Sequence, residues 1–363
     1  MPDELDASVG VLCYNGRRFL DDCLKSLLDQ DFPGRYEIFV LDNASTDGSG
    51  DYVRARYPQV RVVRVDPPNI GFTGAVNRVV AESRSRYACA VNVDTVFHRR
   101  WLAEMWQAMR ENPRAKMAQS NAIFPWWHEF AAQERDRLVE QAYVCDVTSF
   151  GIHDYRVAPV TPNTQPIPTL GGNGAALMFD RTIVDELGYI MDTDFYCYAE
   201  DLDCALRINA LGYQVLFVPK AVVYHNSAWQ VKFDRRSLSK AILSTRNTFL
   251  TFYKLSYWHE YVALLPFLII GNFQKAQQHV FSPWVKWLAL LAAVPQTFLA
   301  FVAALGKFHL FRDKRRQILS HRVGDRWWLT REMLRRDWHP DPDVWFESKA
   351  AERQYTASSG QPG

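Results

Sequence analysis

The chain has 363 residues, 48% hydrophobic and 23% charged, a balance that excludes a disordered tail, a collagen-like repeat and a disulfide miniprotein. With 42 basic against 40 acidic side chains the formal charge is only +2, which excludes a nucleic-acid glove covering the whole surface. The 12 Trp, 16 Tyr and 22 Phe form an aromatic excess suited to sugar-stacking surfaces, membrane-interface belts or a large core.

The acidic start, Met1-Pro2-Asp3-Glu4-Leu5-Asp6, lacks the basic and apolar regions of a signal peptide, so a cytoplasmic location is expected. From residue 8 to 93, short β-branched runs alternate with amphipathic segments, the pattern of βαβ units, a mostly parallel sheet and a three-layer α/β fold. The first strand reads Val9-Gly10-Val11-Leu12-Cys13-Tyr14, and Phe19, Leu20, Cys23, Leu24, Leu27 and Leu28 follow as one helical stripe. A second strand over 37–41 ends at Asp42, and a third over 60–65 ends before a Pro-Pro-Asn loop. A helix begins near Gly71 or Phe72, and a fourth strand over 87–93 ends at Asp94. Ligands of open parallel sheets bind beyond the carboxyl ends of the strands. Polar residues gather at those ends: Tyr14-Asn15, Asp42-Asn43, residues 66–69, and Asn92 with Asp94.

A less periodic region over 117–226 reads as an α+β insertion, with a Pro- and Thr-rich loop at 159–169. Gly171-Gly172-Asn173-Gly174 then leads into an apolar strand to Phe179, a short helix to Leu187 and a longer helix over about 200–211, punctuated by Gly212. A strand over 213–218 follows, with one more over 221–224. From about Phe233 the composition turns helical and apolar. Residues 287–305 carry no charge between Lys286 and Lys307, close to the roughly 20 residues of a bilayer span, with Pro295 and Gln296 as interruptions. Trp284, Trp287, Phe308 and Phe311 resemble interfacial anchors, and 312–316 is basic apart from Asp313. Membrane contact is expected here, spanning or lying on the bilayer; a buried hairpin packed on the enzyme is the alternative. The tail 358–363 is expected to be disordered. Six scattered cysteines, Cys13, Cys23, Cys89, Cys145, Cys197 and Cys204, fit buried reduced thiols.

Five segments carry chemistry. Asp42 ends a buried strand ahead of Asn43-Ala44-Ser45-Thr46-Asp47-Gly48-Ser49, where a carboxylate can accept the imide N–H of uracil or thymine, or simply anchor the turn. Asn69-Ile70-Gly71-Phe72-Thr73-Gly74-Ala75-Val76-Asn77 is a small-residue helix entry whose free N–H groups suit anionic oxygens. Asp94, in Val91-Asn92-Val93-Asp94-Thr95, can hold one divalent cation against a diphosphate, or act as a turn aspartate. Glu200-Asp201-Leu202-Asp203 places three carboxylates at a helix N-terminus, more than capping needs, and their crowding suits a general base. His225, closing Val222-Val223-Tyr224, is a candidate second ligand for the cation.

Taken in order, these segments resemble the inverting nucleotide-sugar glycosyltransferases of family 2, in particular the rhamnosyltransferase-like branch. The likeness runs from Val9 to about Trp229 and more loosely past Arg246-Asn247. It implies a GT-A nucleotide-binding fold, three-layer α/β/α, with a helical C-terminal region that associates with membrane. Residues 1–116 would form the donor half, 117–232 the acceptor and catalytic-base half, and 233–363 the helical region. Asp42 would read the base, with Tyr14, Asn15, Asn43, Asn69, Gly71, Phe72, Asn77 and Asn92 around the donor. Gly171, Gly172, Asn173, Glu200 and Asp203 would face the acceptor, and Asp201 would be the base. Asp94 and His225 would hold Mg²⁺ or Mn²⁺; the family's Asp-x-Asp has Asn92 in its first position here. The implied reaction moves a sugar, favoured as rhamnose from dTDP-L-rhamnose, to a hydroxyl of a lipid-linked or oligosaccharide acceptor. The implied setting is the cytoplasmic face of the inner membrane, as a peripheral or monotopic protein without nucleic acid. A UDP-hexose transferase, a sugar nucleotidyltransferase and a non-catalytic membrane scaffold are the alternatives.

Overall fold

The structure, a computed structural model, describes residues 5–123, 141–147, 152–161, 163–226, 235–277 and 283–337. The tail 358–363, the boundary at 232–233 and the side chains of Cys145, Trp284 and Trp287 lie outside the described part.

The first four strands, β1 (Ala7–Cys13), β2 (Tyr36–Asn43), β3 (Arg61–Val65) and β4 (Tyr87–Asn92), pair in parallel in the order β3-β2-β1-β4. The helices α1 (Leu20–Leu28), α2 (Ser49–Arg56) and α3 (Gly71–Glu82) make the crossovers. Alternation along β1 sorts the layers. Val9 and Val11 pack with Leu20, Cys23, Leu24 and Leu27 of α1, while Leu12 packs on the other face with Val76 and Val79 of α3. Gly10 lets α3 approach, since a Cβ there would lie 2.5 Å from Val79 Cγ1.

The region expected as an insertion is built into the same sheet. β5 (Thr95–Phe97), β6 (Ala115–Ile123), β9 (Ile167–Thr169), β10 (Ala176–Asp180) and β11 (Gln214–His225) continue it as β4-β10-β6-β11-β5, with β9 also on β11. The pair β7 (Gln141–Val147) and β8 (Ile152–Pro159) stands as a separate two-stranded sheet. β10 runs antiparallel to both neighbours, which brings its entrance, Gly174-Ala175, to the carboxyl end of β4. The two short strands expected at 213–218 and 221–224 are one strand, β11. Its register against β6 shifts between Val218 and Val222, around Pro219, which has no N–H to give the ladder.

Helix α4 (Trp101–Glu111), not foreseen from the sequence, buries Trp101, Leu102, Met105 and Met109 against the α1 side of the sheet. α5 (Ile183–Leu187) and α6 (Glu200–Ala210) cover the opposite face. α6 is buried on two sides. Cys204, Ala205 and Ile208 face the sheet, whereas Leu202, Leu206 and Ala210 face the C-terminal helices. Those are α7 (Arg235–Leu255), α8 (Trp258–Gln277), α9 (Pro283–Leu305), α10 (Phe308–His321) and α11 (Trp328–Asp337). Phe249, Phe252, Tyr253 and Phe311 fill the junction with α6, so part of the aromatic excess is core. Pro266 and Pro295 lie inside α8 and α9 rather than ending them. Among the described residues no single helix is long and apolar enough to cross a membrane; Leu291–Leu305 with Phe308–His321 qualifies only as a pair bent by 72°.

Candidate active site

The carboxyl ends of the parallel strands carry three linked clusters. In the first, the loop after β1 is tied to the loop after β2. Asn15 N–H donates to Ser45 Oγ at 3.0 Å, Thr46 N–H to Asn15 Oδ1 at 2.8 Å, and Arg17 N–H to Asp47 Oδ2 at 3.0 Å. Asn15 and Ala44 hold left-handed backbone, with φ 51° and 62°, conformations that local ties must maintain. Asp42 is buried beneath this loop, accepting Ser45 N–H at 2.9 Å, with Arg64 4.0 Å from its other oxygen. Gly50 is required beside it, because a Cβ there would lie 2.4 Å from Asp42 Oδ2. Tyr14 stands exposed at the rim.

The second cluster joins Asn43, Asn69 and Gly71. Asn43 Oδ1 accepts Ile70 N–H at 3.1 Å, its Nδ2 donates to Asn69 Oδ1 and to the Gly71 carbonyl, and Asn69 Oδ1 accepts Gly71 N–H at 2.7 Å. The N–H groups of Phe72 and Thr73 donate to the Tyr196 carbonyl at 3.0 and 3.3 Å. The start of α3 is therefore capped from within the protein and does not offer the free N–H groups expected from its sequence. Gly71, at φ 75°, admits the Tyr196 ring, which a Cβ would meet at 2.6 Å. Asn77 makes a two-way tie to the backbone of Met191, 2.8 Å in each direction, so its carboxamide positions that loop rather than standing open to a donor.

The third cluster is formed where β4 and β11 end. Asp94 Oδ1 and His225 Nε2 are 3.3 Å apart, with the Asn92 carboxamide 3.4 Å from the same ring nitrogen. An octahedral shell with bonds of about 2.1 Å has edges of about 3 Å, so this carboxylate and imidazole fit neighbouring positions around one Mg²⁺- or Mn²⁺-sized cation. Among the described residues no third His, Cys, Asp or Glu joins them. A cation here would take its remaining ligands from diphosphate oxygens and water.

Asp201 opens α6 beside this corner. Its Oδ2 accepts Gly174 N–H at 2.9 Å, its Oδ1 accepts Leu202 N–H at 2.8 Å, and the Phe72 ring lies next to Gly174. Gly174 belongs to the glycine run seen in the sequence, but its role as the donor that aims Asp201 depends on contact across 27 residues. Of the run's other members, Asn173 accepts Ala175 N–H at 3.0 Å, the Gly171 carbonyl accepts from Gln119 and Thr169, and Gly172 packs against Met117.

The three acids at the start of α6 have different environments. Glu200 is buried, its Oε2 finds no hydrogen-bond partner among the described residues, and burial, reinforced by Asp201, holds its carboxyl well above the usual range. Asp203, expected to face the acceptor, has no exposed surface. Arg207 reaches its Oδ2 at 2.8 Å and Lys254 its Oδ1 at 2.7 Å, so it is a structural ion-pair partner. Lys254 also binds Asp192 at 2.7 Å, and Lys314 reaches the other Asp192 oxygen at 2.6 Å. Burial would raise the Asp192 carboxyl, but these two cations outweigh it and hold the group far below its ordinary value.

The turn before α6 is held from the C-terminal helices. Tyr196, Tyr198 and Ala199 all have left-handed φ, between 61° and 70°. Asn247 of α7 donates to the carbonyls of Phe195, Cys197 and Tyr198 at 3.2, 3.0 and 2.8 Å, and Arg246 fixes the Asn247 amide at 3.0 and 2.6 Å. Asn247 and Lys254 thus support the acidic helix from about fifty residues away, and their sequence signal was only the loose likeness around Arg246-Asn247.

The chain is similar to known proteins in sequence and in fold. The family model described as Glycosyl transferase family 2 matches residues 8–156, and that described as Glycosyl transferase family group 2 matches residues 91–324. An N-acetylglucosaminyl-diphospho-decaprenol L-rhamnosyltransferase of Mycobacterium tuberculosis is 24% identical over 213 residues, covering 53% of this chain and 66% of the relative. The probable glycosyltransferase YdaM of Bacillus subtilis is 23% identical over 240 residues, 63% of this chain and 53% of the relative. The chain therefore spans between about half and two thirds of these curated relatives. Among solved structures, GalNAc-T7 with UDP, GalNAc and Mn²⁺ superposes with a TM-score of 0.52 at 16% identity, covering 79% of this chain and 54% of that one. That likeness establishes the GT-A fold. With that fold, and with a family model matched over more than half of its length, the chain belongs to glycosyltransferase family 2.

Proposed function

We propose that the protein transfers a sugar, with inversion, from a nucleoside-diphosphate sugar to a hydroxyl of a lipid-linked glycan at the inner face of the plasma membrane, with dTDP-L-rhamnose as the favoured donor. One observation carries the reading: the two-residue segment Gly174-Ala175 joins the base to the diphosphate corner. Gly174 N–H holds Asp201, and the Ala175 carbonyl accepts the N–H of Asn92 at 2.9 Å. A carboxylate aimed at an acceptor hydroxyl thus sits next to the strand end that carries Asp94.

In this reading Asp42 accepts the imide N–H of the pyrimidine, and the tied Asn15–Ser45 loop fixes the base against the sheet. Asp94 and His225 would hold a divalent cation, which when bound supplies charge neutralisation for the departing diphosphate. Asp201 takes the proton of the acceptor hydroxyl as its oxygen attacks the anomeric carbon from the side opposite the diphosphate. The bond to the diphosphate oxygen breaks in the same displacement, and the configuration inverts.

The mycobacterial relative bears a name that specifies a rhamnosyl transfer to a diphospho-decaprenol acceptor, which supports the choice of donor and acceptor class. The test is a donor-hydrolysis and transfer panel of dTDP-L-rhamnose and UDP-hexoses with a polyprenyl-diphosphate sugar as acceptor. Turnover of dTDP-L-rhamnose with an inverted product is expected. Turnover of a UDP-hexose alone would replace the donor assignment, and consumption of a nucleoside triphosphate with a sugar phosphate would replace the reaction class.

A further inference from the structure

We infer that the outer face of α9, with the bend into α10, is a lipid-contact surface that seats the protein on an anionic bilayer leaflet. The helix is turned inside out relative to one that faces water. Over residues 291–306 every exposed side chain or backbone position is apolar or glycine, including Leu291, Val294, Phe298, Leu299, Val302 and Leu305. Leu291 and Phe298 are each 66% exposed. The two polar residues of the stretch, Gln296 and Thr297, point inward. Gln296 Nε2 donates to Thr245 Oγ1 at 2.9 Å, Thr245 to Asn272 Oδ1 at 2.8 Å, and Asn272 Nδ2 to Thr297 Oγ1 at 2.5 Å.

A surface helix in water places its polar residues outward and its apolar stripe inward. The reverse arrangement, with polar side chains bonded across helices and apolar ones outside, is what a hydrocarbon environment selects. The exposed apolar residues also follow one another along a single helix, whereas those ordinary in a water-facing protein are scattered singly.

Charge identifies the occupant. After the 72° bend, α10 presents Arg312 and Arg316, whose side chains are 61% and 68% exposed; both reach the exposed Asp313, the one acid of this helix, at 3.8 and 3.3 Å, so two cations share a single carboxylate and the group stays net positive. Lys314 is taken by Asp192 and Asp194, and Arg315 by the carbonyls of Tyr253 and Ser256. A net-positive, exposed group that follows an apolar helix face directly in the chain matches anionic headgroups beside acyl chains. This inference does not rest on the identity of donor or acceptor.

The test is flotation of the full chain with vesicles of phosphatidylcholine alone and of phosphatidylcholine with phosphatidylglycerol at about three to one. Binding is expected to the mixed vesicles, to weaken with salt, and to be at least about tenfold weaker for phosphatidylcholine alone. Phe298→Asp with Val302→Asp should lose vesicle binding at an unchanged melting temperature, and Arg312→Glu with Arg316→Glu should lose the preference for the mixed vesicles. As a second reading, an environment-sensitive dye on Leu299→Cys should shift to the blue with mixed vesicles, whereas the dye on exposed Lys25→Cys should not. Flotation unaffected by the Asp pair, or absence of flotation and of the dye shift, overturns the inference. So does a concentration-dependent dimer that the Asp pair dissociates without any vesicle binding, which would assign the face to a second copy.

Discussion

Gly174 donates its N–H to Asp201 Oδ2 at 2.9 Å, and the next residue's carbonyl accepts the N–H of Asn92. Asp201 and the strand end that carries Asn92 are thereby held by one stretch of backbone, so a side-chain change at Asp201 leaves the Asp94–His225 corner in place. Asp201→Asn keeps the size of the side chain and one of its two acceptor oxygens. It should fold, with a melting temperature lowered by a few degrees at most, while turnover falls by about 10²- to 10⁴-fold, the usual contribution of a general base. Full activity in Asp201→Asn would remove the base assignment.

The Asp94–His225 pair makes a separate claim. His225→Ala removes one of the two charged or imidazole donors at that corner, leaving Asp94 with the Asn92 carboxamide. Excess EDTA should stop transfer and added Mn²⁺ restore it. The Mn²⁺ requirement of His225→Ala should rise by at least about tenfold, read both as activity and as calorimetric binding of Mn²⁺ in the presence of nucleoside diphosphate. Equal Mn²⁺ affinity in the variant would show that the imidazole is not a ligand.

Residues that end a strand or open a helix were legible because their position is written locally. Asp42, Asp94, Asp201 and His225 each close or begin a segment whose hydrophobic pattern announces the element, and the structure brings Asp94 and His225 within 3.3 Å. What the sequence did not show was who meets each side chain across the fold. Asp203 looks like Asp201 in a string of letters, but Lys254, 51 positions later, lies against one and not the other. The N–H groups at the start of α3 looked free because the carbonyl that takes them belongs to Tyr196. The same holds for the sheet. A hydrophobic run over 176–180 indicates a strand, but not that it enters antiparallel between β4 and β6 and so joins the two regions.

Glu200 gives a pH signature of definite sign. Burial, with the charge of Asp201 second, raises its folded pKa above the ordinary 4.5 of a glutamate. Stability linked to a raised group is fully present below the unfolded value and is lost as pH rises through the folded one. The wild-type protein should therefore lose melting temperature as pH rises above about 5. Glu200→Gln, a neutral isostere, should flatten that slope and be the more stable protein at alkaline pH. Melts of both proteins from about pH 5 to 9 decide it, and parallel curves would show that Glu200 is ionised in the folded state.

Lys254 connects the C-terminal helices to the acidic helix electrostatically. It lies 2.7 Å from Asp192 and 2.7 Å from Asp203, and none of the three side chains has exposed surface. Lys254→Met retains the apolar stem but leaves two buried carboxylates with one cation fewer. Lys314 still reaches Asp192, and Arg207 still reaches Asp203. Breaking a buried pair costs about 3–5 kcal/mol, and the remaining partners place this variant toward the lower end. Asp203→Asn removes one of the charges that Lys254 answers, so the double variant should lose less than the sum of the two single ones, with a coupling of about 1–3 kcal/mol. Because Asp203 follows Asp201 by two residues on the same helix, Lys254→Met should also lower kcat more than it raises KM. Chemical denaturation of the four proteins measures the coupling. Strict additivity would mean that Lys254 and Asp203 do not act on each other, and that the C-terminal helices support α6 through the Asn247 hydrogen bonds and the packing of Leu202, Leu206 and Phe249 instead.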